Sequence, residues 1–109
     1  MKIKVNKGDI YLANLNGGVG SEQTGIRPVI ILYNERVSST CIVIPLTKVD
    51  KNKEFKSHII IYKLDRLLYD SYALLKQVRV IDKKRLSKYI GKLTNCEIKK
   101  IIDKIKKNL

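Results

Sequence analysis

Pro28-Val29-Ile30-Ile31-Leu32-Tyr33 is a continuous apolar run rich in β-branched residues, and its reading decides the fold. A run of this length without polar alternation fits a strand covered on both faces. Thr40-Cys41-Ile42-Val43-Ile44-Pro45-Leu46 is a second such run. Pro45 denies its strand one ladder donor, which places it at an edge, a bulge or the strand's end. Upstream, Ile10-Tyr11-Leu12-Ala13-Asn14-Leu15 follows Gly8-Asp9 and reads as a first strand. Asn16 to Ser21 carries three glycines in four positions and reads as a loop. Downstream, Lys48 to Lys56 is a lysine-rich loop, His58 to Tyr62 a fourth strand and Ser71 to Val80 a fifth. In the later part of that fifth strand Leu75, Gln77 and Arg79 share one face, and Lys76, Val78 and Val80 the other.

Asp82 is placed to cap a short helix over Lys83 to Lys88. The last element carries a stronger signal. Thr94-Asn95-Cys96-Glu97 fits a capping box, and Ile98, Ile101, Ile102, Ile105 and Leu109 come after it at helical spacing. Five lysines, Lys99, Lys100, Lys104, Lys106 and Lys107, take the opposite face. They favour the negative end of the helix dipole. Strands first and helices last predict an α+β fold with a strongly bent antiparallel sheet, not a βαβ layout.

The chain has 109 residues, which predicts one domain over 1–109. Its formal net charge is +13, from 23 Lys+Arg against 10 Asp+Glu. This favours polyanionic partners over cationic ones. Eighteen of the cations are lysines in a chain also rich in Ile, Asn and Tyr, a composition that an AT-rich genome would give. The five arginines, Arg27, Arg36, Arg66, Arg79 and Arg85, are therefore the more informative cations. A planar guanidinium is the better phosphate fork. Cys41 and Cys96 are far apart and form no Cys-x-x-Cys, so free thiols in a reducing compartment are expected. No stretch approaches the ~20 apolar residues of a membrane helix, and the N-terminus lacks a signal-length apolar run. A soluble, cytoplasmic protein without membrane partners is expected.

Phosphate-binding glycine motifs are absent, and the single histidine, His58, rules out a multi-histidine metal site or a two-histidine ribonuclease. The acidic residues are scattered, which disfavours metal-dependent hydrolysis, so no metal and no cofactor are expected. What remains is Gly20-Ser21-Glu22-Gln23-Thr24-Gly25-Ile26-Arg27-Pro28, a loop that carries hydroxyl, carboxylate, amide and guanidinium groups into an apolar strand. Binding residues concentrate on such loops. Arg27 stands where its stem is partly buried, so it needs a partner: an internal carboxylate, with Glu22 nearest in sequence, or a bound anion.

This nonapeptide resembles the signature of the MazF/PemK toxin ribonucleases of bacterial toxin–antitoxin pairs. The resemblance runs collinearly through Gly8-Asp9-Ile10-Tyr11, the loop itself with Val29, Ile44-Pro45-Leu46-Thr47, Asp70 to Arg79, and Ile81 to Leu86. It is greatest to the Gram-positive branch. It implies an SH3-like β-barrel of the CcdB/Kid/MazF type with added helices, and a homodimer. It also implies metal-independent cleavage of single-stranded RNA at a short motif, by analogy one containing ACA, and a cognate antitoxin with an acidic, flexible C-terminal tail. Carried over, the catalytic arginine falls on Arg27 and the catalytic threonine on Thr47. On the chemistry of the loop, Glu22 is the candidate for catalytic support, as the positioner of Arg27 or as the base. Arg27 suits neutralising a phosphorane and Thr47 suits donating to a non-bridging oxygen. Splayed bases are read by amides, hydroxyls and stacking, so Ser21, Gln23, Lys48, His58, Gln77 and Arg79 are the RNA-binding candidates. The six tyrosines are expected in packing rather than stacking. Two rival functions fit the same charge and fold: a gyrase-poisoning toxin without nuclease activity, and a plain RNA-binding barrel. Both predict intact RNA.

Overall fold

A computed structural model describes residues 4–17, 25–49, 59–61 and 69–108, with Ile60 described by its backbone alone. Its elements in order are β1 (Asp9–Asn14), β2 (Ile26–Asn34), β3 (Thr40–Lys48), β4 (Ile59–Ile61), β5 (Ser71–Ala73), β6 (Arg79–Asp82), β7 (Leu86–Lys92) and α1 (Asn95–Lys107). Short 3-10 turns at Leu75–Gln77 and Lys83–Arg85 flank β6. All described strand pairings are antiparallel. The strand order is β4-β5-β3-β2-β1-β7, with β6 also pairing β3. The chain thus has the α+β architecture read from the sequence. Its sheet is bent rather than closed, since β4 and β7 end the strand order among the described residues.

The apolar runs bury both faces of the sheet. Ile10, Ile30, Ile44 and Leu46 form one cluster with Ile98 and Ile101 of α1. Tyr11, Val29, Ile31 and Val43 form the other with Val5, Ile81 and Leu86. Alternate residues of β2 therefore feed different clusters, as a doubly covered strand requires. Thr94 caps α1: its Oγ1 accepts from Glu97 N–H at 3.2 Å, and Thr94 N–H donates to Glu97 Oε1 at 3.0 Å. Ile102 and Ile105 pack beside Ile98 and Ile101, while Leu109 lies outside the described residues.

Gly8-Asp9 is a structural turn. Gly8 has φ of +90°, a conformation glycine adopts at little cost. Its N–H donates to Ile31 O at 2.7 Å, and its carbonyl accepts from Leu93 N–H at 2.9 Å. The buried Asp9 carboxylate accepts from Asn6 N–H at 2.8 Å.

Two sequence expectations are corrected. Ser71–Val80 is not one strand: it breaks into β5, a 3-10 turn and β6. The break faces Pro45. Extending the β3–β5 register places Leu74 opposite Pro45, and Leu74 N–H donates to Pro45 O at 3.0 Å. The reciprocal bond cannot form, because proline has no N–H. The Leu74 carbonyl instead accepts from Gln77 N–H at 2.9 Å, which makes the 3-10 turn. The helix expected over Lys83 to Lys88 is one 3-10 turn, Lys83–Arg85, capped by Asp82 Oδ1 accepting from Lys84 N–H at 2.8 Å. The chain then turns into β7, which pairs with β1 through two register shifts.

Candidate active site

The two candidate catalytic residues lie on neighbouring strands. Arg27 stands opposite Ala13 of β1, on the face that carries Ala13, Val29 and Ile31. Thr47 stands opposite Tyr72 of β5. The last β2–β3 pair at this end is Val29 with Pro45. Continuing that register by two residues brings Arg27 opposite Thr47. Residues in register have the same parity, so Arg27 and Thr47 belong to the same sheet face. Both are half-buried, at the polar end of an otherwise apolar face.

The root of the motif loop is held firmly. Leu15 N–H donates to Gly25 O at 2.8 Å, closing the base where β1 leads into β2. Arg85 Nη1 donates to the carbonyls of Asn14 and Asn16, both at 3.0 Å. Sequence reasoning did not give Arg85 this positioning role, and its one signal was the scarcity of arginine. Ser21, Glu22 and Gln23, on the loop, and His58, before β4, lie outside the described residues.

The other candidates line up along β3. Lys48 adjoins Thr47 and places its Nζ 4.2 Å from the Tyr69 ring centroid, a cation–π contact on an exposed tyrosine. Gln77 sits in the 3-10 turn rather than on a strand, but the expected alternation holds in its burial: Gln77 and Arg79 are half-buried, and Lys76, Val78 and Val80 are exposed. Arg79 pairs with Val43 and shares its face. Val43 precedes Thr47 by four residues, about 13 Å of strand. Arg79 Nη1 is buried and has no hydrogen-bond partner among the described residues. A buried guanidinium nitrogen without an acceptor is costly, so the surroundings of Arg79 favour an incoming anion or carbonyl. Arg27, Thr47, Gln77 and Arg79 thus form a polar border to one sheet face, and Lys48, next along β3, adds its charge from the opposite face. Among the described residues no three His, Cys, Asp or Glu side chains cluster as a metal site would need. Tyr11 and Tyr72 pack in the interior, and Tyr11 meets Tyr89 edge to face at 5.6 Å.

Residues 6–109 match the family model of PemK-like, MazF-like toxins of type II toxin–antitoxin systems. The chain belongs to this family. Among its relatives, the endoribonuclease MazF of Staphylococcus epidermidis is 41% identical over 106 residues, covering 91% of this chain and 83% of that one. The endoribonuclease MazF of Staphylococcus saprophyticus is 38% identical over 104 residues, covering 89% and 84%. The fold agrees. A crystal structure of MazF from Deinococcus radiodurans superposes with a TM-score of 0.82 at 17% identity, covering 98% of this chain and 97% of that one. A mycobacterial endoribonuclease solved with its cognate antitoxin gives 0.73 at 19% identity, covering 95% and 93%. In this MazF-like chain no helix among the described residues is long and apolar enough to cross a membrane.

Proposed function

We propose that this chain is a toxin endoribonuclease that cuts single-stranded RNA at a short motif, one containing ACA, without a metal ion. The observation that supports the reading is the β2–β3 register, whose continuation beyond Val29 and Pro45 sets Arg27 and Thr47 on one face at one end of the sheet. The 2′-hydroxyl of the nucleotide before the scissile bond attacks phosphorus. A 2′-O–P bond forms, the P–O5′ bond breaks, the 2′ proton leaves to a base and the 5′ oxygen gains a proton. The products are a 2′,3′-cyclic phosphate and a 5′-hydroxyl. Arg27 balances the charge that grows on the phosphorane, and Thr47 donates to a non-bridging oxygen. Glu22 positions the Arg27 fork. Gln77 and Arg79, with Ser21, Gln23, Lys48 and His58, hold the flanking nucleotides. The unpartnered Arg79 nitrogen supports this role.

The same reading includes a cytoplasmic homodimer and a cognate antitoxin whose acidic, flexible C-terminal tail neutralises the cationic border. The cross-strand row Tyr33, Ile42 and Val80 supports dimerisation, since Tyr33 and Val80 are 51% and 60% exposed. Apolar rows of this kind are characteristic of interfaces.

The test is cleavage of a long single-stranded RNA in EDTA, with end-group analysis. The wild type is expected to cut at one short motif and leave 5′-hydroxyl ends. Arg27→Ala and Thr47→Val are expected to lose at least about a hundredfold in rate, the scale of a preorganised transition-state donor. Products with 5′-phosphates would overturn the mechanism. Intact RNA with folded wild type would overturn the activity.

A further inference from the structure

A cavity of about 520 Å³ lies at the other end of β2 from Arg27. Lys4, Lys7, Arg36 and Lys83 line it, with Val5, Asn6 and Asn34, and among the described residues no acidic side chain does. Asn34 is seven residues beyond Arg27, so the cavity is about 23 Å of strand away from the candidate active site. We infer that this cavity is a second binding site, for the phosphate backbone of single-stranded RNA outside the cleaved motif. The inference rests on the proposed RNA substrate but concerns a different set of residues.

The cations differ in how they are used. Lys83 Nζ is already engaged: it donates to the carbonyls of Glu35 at 2.8 Å and Ser38 at 2.6 Å. It ties the β2–β3 connection in place and adds its charge to the wall. Lys4, Lys7 and Arg36 are exposed, and among the described residues no hydrogen bond or ion pair engages their side chains. Three free cations around one concave surface, beside a fourth that cannot leave, concentrate positive potential there.

The wall also carries an acceptor. Asn34 Nδ2 donates to Val5 O at 2.7 Å, which fixes the amide's orientation, because a flip would set two oxygens against each other. Asn34 Oδ1 is then buried without a partner. RNA supplies both complements: phosphates for the cations and ribose hydroxyl donors for the acceptor. An acidic peptide matches the charge less completely. Stable peptide docking depends on buried apolar anchors, and among the described residues the one apolar side chain lining this cavity, Val5, is itself buried. Phosphate contacts need only the cations.

The experiment measures binding of an uncleavable, fully 2′-O-methylated 24-nucleotide RNA as a function of salt. It compares wild type with Lys4→Ala/Lys7→Ala/Arg36→Ala. A control variant, Lys99→Ala/Lys100→Ala/Lys106→Ala, removes the same charge from exposed positions of α1. Each neutralised single-strand phosphate contributes about 0.7 to the slope of log K against log salt. The cavity variant is expected to lose about 2 from that slope and to bind about fiftyfold more weakly at 0.15 M salt. The α1 variant is expected to lose less than half as much slope. Equal losses in the two variants, or an unchanged slope in the cavity variant, would overturn the inference. So would a cavity variant that keeps its RNA affinity but loses binding to an oligoglutamate peptide, which would assign the cavity to an acidic peptide. Because the RNA is uncleavable, the two readings fail separately. A wild type without nuclease activity but with the slope loss refutes only the proposed function, and a nuclease without the slope loss refutes only the second site.

Discussion

Gly8→Ala is expected to destabilise the fold by about 2–4 kcal/mol, and the structure apportions that cost between two sources. The first is backbone strain. At φ of +90° an L side chain is disfavoured by about 1–2 kcal/mol. The second is steric. A Cβ on Gly8 would overlap Ile98 Cδ1, lie 3.2 Å from Ile98 Cγ1 and lie 3.7 Å from the Leu93 carbonyl oxygen. Ile98 sits in the first turn of α1 and is 7% exposed, so it yields only by repacking against the cluster below. Overpacking of this kind costs about 1–3 kcal/mol. Loss of glycine's freedom in the unfolded chain returns about 0.4–1 kcal/mol. With an m-value of about 2 kcal/mol/M, the urea midpoint falls by about 1–2 M at constant m. The two sources separate in a double-mutant cycle. Ile98→Val deletes Cδ1, so Gly8→Ala is expected to cost about 1 kcal/mol less in that background than in the wild type. A Gly8→Ala midpoint within 0.25 M of wild type, about 0.5 kcal/mol at that m-value, would refute the strain argument. The same cost in both backgrounds would refute the steric one.

Thr94→Ala removes the hydroxyl that accepts from Glu97 N–H, and is expected to cost about 1 kcal/mol in urea unfolding, whereas Thr94→Ser retains most of it. Burial, then the nearby Asp9 and Tyr89, raise the Tyr11 phenol above its ordinary value of 10. The unfolded chain therefore ionises Tyr11 first, and stability present below pH 10 is lost as pH rises through the raised folded value. Tyr11→Phe is expected to show a shallower alkaline fall in urea midpoint than wild type. Burial also raises the Cys41 thiol, while Cys96 is exposed. Ellman's reagent is expected to titrate one thiol quickly in the native protein and a second only on unfolding. Pro45→Ala restores a donor opposite the Leu74 carbonyl, so the Gln77 amide is expected to exchange faster with solvent; unchanged protection would refute the account of the 3-10 turn.

The legible parts of this chain are those where one physical signal dominates. β2 and β3 arise from unbroken β-branched runs, and α1 arises from a capping box ahead of isoleucines at helical spacing. β7 carries no such signal. Ser87, Lys88 and Tyr89 are consecutively exposed, and two register shifts against β1 break the period-two pattern that a strand otherwise shows. Asp82 does act as a cap, but Lys83 to Lys88 lacks an apolar stripe to hold a helix against the core, and only one turn forms. Arg27 and Thr47 stand out in the sequence only as candidates, through their motifs, whereas their shared face depends on strand register. The unpartnered Arg79 nitrogen and the clamp made by Arg85 have no sequence signature, because both depend on which carbonyls the fold brings within reach.

Pro45 links these two levels. In sequence it is an interruption of a strand with three possible meanings. In the fold it sits inside β3, fully buried, where the strand changes partner from β6 to β5. Its missing donor leaves the Leu74 carbonyl to Gln77, the turn that results carries Gln77 out of the ladder, and β6 resumes at Arg79 opposite Val43. On the other side of the break, β5 holds Tyr72 against Thr47. One absent hydrogen bond therefore spaces three polar candidates along a single strand: Thr47 on it, Gln77 beside its gap and Arg79 beyond. An uninterrupted strand from Ser71 to Asp82 would hold Gln77 in the β3 ladder, with its backbone N–H committed to β3 rather than to Leu74. The residue that looks most disruptive to the sheet is thus the one that shapes the candidate RNA-binding border, and it does so through backbone chemistry that no side-chain motif records.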